Sequence, residues 1–141
     1  MAARGVLLDT CALIWVATAS PMLSPALGAI RAAAEAGEVH ISLISAWEIA
    51  CLARRRAARS PLFLPDPKSW FAAALRGPGI RLAPFTPEIA VDTEFLPSDP
   101  HRDPADRALI ATARHLGLPL VTRDARILAC AEAGHVGAVA C

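Results

Sequence analysis

The sequence predicts a three-layer α/β domain with a central parallel sheet of four to five strands. Three observations carry this expectation. Short apolar runs recur at intervals along the chain, each only a few residues long. Longer stretches with helical spacing separate them, and an antiparallel hairpin needs no such spacer. The first run is unbroken apolar sequence up to Asp9, which is the pattern of a strand covered on both faces.

The elements follow in order. Residues 5–8 form an apolar run ending at Asp9 and read as the first strand. Residues 11–19 read as a helix stopped by Ser20-Pro21. Ser24 is placed as the N-cap of a second helix that runs to about residue 36 and closes at Gly37. Residues 39–42 are the second strand. Ser45 is expected to start a third helix reaching about residue 58, with Glu48 completing a capping box. The proline-rich stretch 60–67 reads as a loop and 70–75 as a short helix, broken by Gly77-Pro78-Gly79. Residues 80–83 are a third strand, and 87–95 a helix. Asp103-Pro104 opens a helix through His115, stopped by Gly117. Residues 120–122 form a strand, 124–133 a helix and 136–140 a last strand. No composition break divides the 141 residues, so 1–141 is expected to be one domain.

Composition narrows the function classes. The chain is 55% hydrophobic, which argues against disorder. Its net charge is +1, so bulk charge does not mark it as a nucleic-acid binder. Lys68 is the only lysine; the other basic residues are arginines. Cys11, Cys51, Cys130 and Cys141 form no CxxC pair and suggest no zinc framework. Charged residues or prolines interrupt every apolar stretch before it reaches membrane-spanning length, and the start lacks the pattern of a signal peptide. A cytoplasmic protein with reduced thiols is the expectation.

In an open parallel sheet, ligands bind beyond the carboxyl ends of the strands. Asp9, Glu48, Asp103, Asp106 and Asp124 all fall at such ends or in the first turn of the helix that follows. Each also suits a helix N-terminus, where a carboxylate caps free N–H groups and meets the positive end of the helix dipole. Together, however, four or five carboxylates at one edge repel one another, and a divalent cation relieves the repulsion. An all-oxygen ligand set suits Mg²⁺ or Mn²⁺. Such an ion polarises phosphoryl oxygens and acidifies bound water, which is the chemistry of phosphodiester hydrolysis. A haloacid-type phosphatase requires Asp-x-Asp after the first strand, where this chain has Asp9-Thr10-Cys11. A response-regulator receiver requires a lysine opposite its acids, and Lys68 is placed in a loop.

Several stretches resemble the PIN-domain family, and its VapC-like toxins in particular. They are Leu7-Leu8-Asp9-Thr10 with Leu13-Ile14-Trp15, then Ser42-Leu43-Ile44-Ser45-Ala46-Trp47-Glu48-Ile49. The most specific is His101-Arg102-Asp103-Pro104-Ala105-Asp106-Arg107-Ala108-Leu109-Ile110-Ala111, followed by Leu120-Val121-Thr122-Arg123-Asp124 with Ile127-Leu128. The resemblance spans nearly the whole chain in order. It implies an endoribonuclease whose metal site and catalytic acids are Asp9, Glu48, Asp106 and Asp124, with Asp9 and Asp106 as direct ligands. It further implies that Thr10 and Thr122 orient a metal-bound water or meet phosphate. Products with 5′-phosphate and 3′-hydroxyl ends, a VapB-like antitoxin and a homodimer are also implied. Cys11 departs from relatives of this variety, which often carry His after Asp-Thr.

The remaining residues divide between structure and substrate. Arg107, with Arg102 and Arg123, flanks the acids and is a candidate either for pairing with them or for contacting RNA phosphate. Arg54, Arg55, Arg56 and Arg59 read as a solvated helix end, with phosphate contact as the alternative. Trp47 is expected in the core, and His101 at the periphery of the acids. The rival to a nuclease is a PIN-like module that binds RNA or protein without cutting.

Overall fold

The computed structural model describes residues 4–56 and 63–141. Five parallel strands form one sheet: β1 (Val6–Leu8), β2 (Val39–Ser42), β3 (Ile80–Ala83), β4 (Leu120–Thr122) and β5 (Ala138–Ala140). Their order is β3-β2-β1-β4-β5. β1 therefore pairs with β2 on one side and β4 on the other, with Leu7 opposite His40 and Leu120. Every residue of β1 and β4 is buried, as central strands of a parallel sheet require.

Helices cover both faces. α1 (Thr10–Ala17), α2 (Ser24–Glu35), α3 (Leu43–Arg56) and α4 (Pro67–Leu75) pack around one core that includes Leu8, Leu13, Ile41 and Ile49. α5 (Pro87–Asp92), α6 (Pro104–Leu116) and α7 (Ala125–Glu132) enclose a second core around Leu7, Leu109, Ile110 and Ile127. The chain order thus reverses at β1, and the crevice between the ends of β1 and β4 lies at the switch point of the sheet.

α6 fixes one wall of that crevice. From Ala105 to Ala113 all its residues except Asp106 are buried, and alanines at 105, 108, 111 and 113 let neighbouring elements approach closely. Asp103 caps its start, and Gly117 ends it in the left-handed conformation at φ 65°. Gly79 is needed for a different reason: its φ is 73°, and a Cβ there would run into the backbone of Ala34.

Several boundaries differ from those read in the sequence. α3 begins at Leu43, directly after β2, so Ser45 is inside the helix and the expected capping box with Glu48 does not form. The Ser42 hydroxyl accepts from Ile44 N–H instead. α2 takes in Ser24, with Leu23 at its cap position. α4 starts at Pro67 because Asp66 caps it through Ser69 N–H, and Lys68 is therefore helical rather than in a loop. α5 ends at Asp92, and β5 shortens to Ala138–Ala140. Residues 57–62, which include the end expected for the third helix, Arg59 and the first residues of the proline-rich loop, lie outside the described residues. No helix among the described residues is long and apolar enough to cross a membrane.

Candidate metal centre

Five carboxylates from four segments meet at the switch point. Asp9 follows β1 and caps α1, one of its oxygens accepting from Ala12 N–H at 2.7 Å. Glu48 lies on the second turn of α3. Asp103 caps α6, its Oδ1 accepting from Ala105 N–H at 2.8 Å and Asp106 N–H at 3.3 Å. Asp106 is on the first turn of α6. Asp124 follows β4 and caps α7 through Arg126 and Ile127 N–H. Extended strands placed side by side bring residues 115 positions apart to one edge.

The site is electrostatically strained. Burial pushes the Asp106 carboxyl up to about 7; His101 opposes the shift, while Asp103, Glu48 and Asp124 add to it. Burial likewise raises Asp9, against a lowering bond from the Thr122 hydroxyl, and Asp124 raises it further. Glu48 is raised by burial and by Asp103 and Asp9, with Thr10 opposing. Burial also acts on Asp124, but bonds from His101 and from Ile127 and Arg126 N–H outweigh it and hold this carboxyl below its usual range. The strain reaches Cys11, whose thiol is pushed up to about 11 by loss of water and by the charges of Asp9, Glu48 and Asp106. No Lys or Arg among the described residues forms an ion pair with any of the five acids. A donor set of this kind fits a hard divalent cation, which replaces mutual repulsion with shared attraction.

The hydroxyls and the histidine hold the acids. Thr10 donates to Glu48, and Ser45 stands 3.0 Å from the Thr10 oxygen. Thr122 accepts from Asp124 N–H at 3.0 Å and also bonds to the Asp9 carboxyl, linking the ends of β1 and β4. His101 is 8% exposed, with Nε2 at 3.1 Å from Asp124 Oδ2 and 3.3 Å from Asp106 Oδ2. Ligand atoms of His101, Asp106 and Asp124 lie within 4.8 Å of one another. His101 is thus part of the centre rather than peripheral to it. Its position two residues before the cap of α6 was the available sequence signal.

The residues expected to meet substrate are placed differently. Thr10 and Thr122 are buried and bonded to the acids, which makes them supports for the carboxylates rather than a phosphate-facing pair. Arg107 is buried, and its guanidinium is largely engaged. Nε donates to Thr93 O at 3.1 Å, Nη2 to Glu94 O at 2.9 Å, and Nη1 to His101 O at 2.9 Å and to Asp99. With four of its five N–H groups taken, it braces residues 93–101. Arg123 lies 3.7 Å over the Trp15 ring and donates to Cys141 O, tying α1 to the end of the chain. Arg102, Arg54 and Arg55 are exposed. Trp47 is 58% exposed, not in the core: Ala46, Ile49 and Ala53 take the inner face of α3, and Trp47 shares the outer face with Leu43.

Fold and site together define a class: a parallel α/β domain with a carboxylate centre at the switch point of its sheet. A family model described as PIN domain matches residues 6–133. The chain is 36% identical over 122 residues to ribonuclease VapC22 of Mycobacterium tuberculosis, an alignment covering 86% of this chain and 88% of that protein. Its fold is similar, with a TM-score of 0.67 and 12% identity, to VapBC2 from Rickettsia felis, solved bound to a DNA fragment from their promoter. That match covers 96% of this chain and 97% of the other, and at this identity it speaks for the fold alone. The chain belongs to the PIN-domain family.

Proposed function

We propose that the protein is an endoribonuclease dependent on Mg²⁺ or Mn²⁺, acting in the cytoplasm as the toxin of a VapBC-like pair. The observation that carries this reading is the gathering of Asp9, Glu48, Asp106 and Asp124 at one sheet edge, with Asp106 pushed up to about 7 by burial and by its neighbours' charges. The similarity to ribonuclease VapC22 supports RNA as the substrate class.

The chain's own residues supply a rigid oxygen cage. Asp9, Glu48, Asp106 and Asp124 would hold the ion. A divalent ion there would polarise a phosphoryl oxygen and lower the pKa of a bound water for attack on the phosphodiester. Thr10 restrains the Glu48 carboxylate, and Thr122 keeps Asp9 and the Asp124 backbone in register. The helix caps at Asp9 and Asp124 each engage one carboxylate oxygen, Oδ1 in both residues. Exposed Arg54, Arg55 and Arg102 remain available to RNA phosphates. A VapB-like antitoxin and a homodimer belong to the same reading. Exposed Trp47 and Phe95, the latter 77% accessible, offer apolar surface for such partners.

Asp9→Asn tests it, because Asn retains the helix cap while removing the charge. Wild type is expected to cleave RNA only with Mg²⁺ or Mn²⁺ and to stop in EDTA. The variant should lose at least about 100-fold in rate while melting no lower than wild type. Metal-independent cleavage by wild type, or full activity in the variant, overturns the reading. Wild type that binds RNA or antitoxin without cutting points to the non-catalytic module.

A further inference from the structure

His101 makes three polar contacts that together define its protonation and its role. Its Nδ1 lies 3.1 Å from the backbone nitrogen of Asp103 and accepts that N–H. A ring nitrogen that accepts an N–H bears a lone pair and no proton, so the proton of the neutral ring is on Nε2. Nε2 is the atom facing Asp124 Oδ2 at 3.1 Å and Asp106 Oδ2 at 3.3 Å. Rotating the ring by half a turn would aim carbon at both sets of partners and waste every bond. The backbone of His101 is also held, its carbonyl accepting from Arg107 Nη1 at 2.9 Å.

A metal-ligating histidine shows the opposite arrangement. It gives the lone pair of one nitrogen to the metal and donates the N–H of the other to an acceptor. Here the nitrogen away from the centre faces a donor, and the nitrogen toward the centre carries the hydrogen. Direct ligation through Nε2 would require that proton to leave, either moving to Nδ1 and breaking the bond from Asp103 N–H or leaving an anionic ring. His101 is nonetheless buried, and among the described residues it is the one cationic or N–H-bearing side chain that contacts two of the five acids.

We propose that His101 is a positioning residue of the metal centre: its Nε2–H forks between Asp106 and Asp124 and sets their spacing, and the Asp103 N–H locks the tautomer that makes this possible. The inference rests on the metal-site reading above and deepens it. The helix cap of α6, the tautomer of His101 and the separation of two ligands become one connected device. The same device biases the centre toward hard cations, since the His101 nitrogen facing it keeps its proton and the donors left to an ion are oxygens.

The experiment compares wild type, His101→Gln and His101→Ala by Mn²⁺ calorimetry. It also follows the ring nitrogens of wild type by ¹⁵N NMR with and without Mg²⁺. Gln keeps an N–H donor where Nε2 stands. It is expected to bind Mn²⁺ within about 3-fold of wild type, and Ala about 10- to 100-fold more weakly. Nδ1 should resonate as an unprotonated nitrogen and Nε2 as a protonated one, and both should stay so when Mg²⁺ is added. Deprotonation of Nε2 on metal addition, or a protonated Nδ1 in the free protein, overturns the proposal, as does Mn²⁺ binding by the Ala variant equal to wild type. If the Ala variant fails to fold, the Gln variant and the NMR assignment still decide. Absence of Mn²⁺ or Mg²⁺ uptake by wild type defeats the metal site itself and this inference with it. Uptake that is indifferent to residue 101 defeats this inference alone.

Discussion

Asp106 concentrates the electrostatic cost of the centre. Its folded pKa of about 7 stands well above the ordinary 3.8, so the folded protein holds this proton more tightly than the unfolded chain does. Ionisation therefore works against folding: metal-free stability should fall as pH rises from about 4 to about 7, then level off. Asp9 and Glu48, both raised, act in the same direction. Asp106→Asn should accordingly stabilise the metal-free protein at pH 8 by about 1–2 kcal/mol while abolishing its metal response. Denaturant melts at pH 5 and pH 8 check both outcomes; a variant less stable than wild type at pH 8 contradicts the account. Cys11 reports the same field. With its thiol near 11, it should alkylate slowly at pH 8 although its side chain is exposed, and Mg²⁺ should speed the reaction by offsetting the neighbouring acids. Iodoacetamide labelling with mass-spectrometric readout measures it, and a rate insensitive to Mg²⁺ counts against an ion bound beside Asp9.

The helices contribute through their first turns. α1, α6 and α7 each begin with a capping aspartate, and all three caps lie in or beside the centre. The structural and chemical roles are therefore superposed, and charge can be separated from capping only by Asn substitution. Asp103→Ala should cost about 1 kcal/mol of stability and Asp103→Asn much less, since Asn caps nearly as well. Arg107 sets the other anchor. Its buried guanidinium binds three carbonyls and Asp99, so Arg107→Ala leaves several acceptors without partners in a largely closed site. The expected loss is about 3–5 kcal/mol by thermal or urea unfolding. A loss below 1 kcal/mol, with RNA binding weakened instead, would restore the substrate-contact role.

The sheet converts sequence order into a site. Because β1 is central, the chain leaves it toward β2 and β3, then returns on the other side to β4 and β5. The residues after β1 and β4 are brought side by side, with α3 and α6 closing the crevice from the two faces. A ligand that binds only this folded arrangement stabilises the whole molecule. Mn²⁺ at 100 times its dissociation constant should add about 2.7 kcal/mol, seen as a higher melting temperature. The gain should vanish in Asp9→Asn and Asp106→Asn, and an equal gain in those variants would move the ion elsewhere.

Much of this organisation is local and was legible in the chain. Apolar runs marked all five strands, and Asp-Pro, Gly117 and the cap residues marked most helix ends. Each has a local cause: covered strands are rich in apolar residues, and capping depends on side chains one to three positions away. The acids could be placed at one edge because strand ends are recognisable without knowing which strands are neighbours. Boundaries failed where the start of a helix depended on its surroundings, as at Leu43, where β2 runs straight into α3.

The surroundings of Arg107, Thr10, Thr122, Trp47 and His101 were set by tertiary structure. Arg107 and Arg102 look alike in sequence, yet only the packing of residues 93–101 turns one inward. Trp47 and Ile49 sit in one apolar run, and only the sheet chooses which face of α3 is buried. His101 faces Asp124 because α6 packs against β4, and no spacing in the chain encodes that distance. By itself, then, the sequence determined the parallel α/β fold and the acids at its strand ends, because periodicity and capping are near-neighbour effects. Which polar side chains reach those acids, and which are spent holding the protein together, depended on long-range packing.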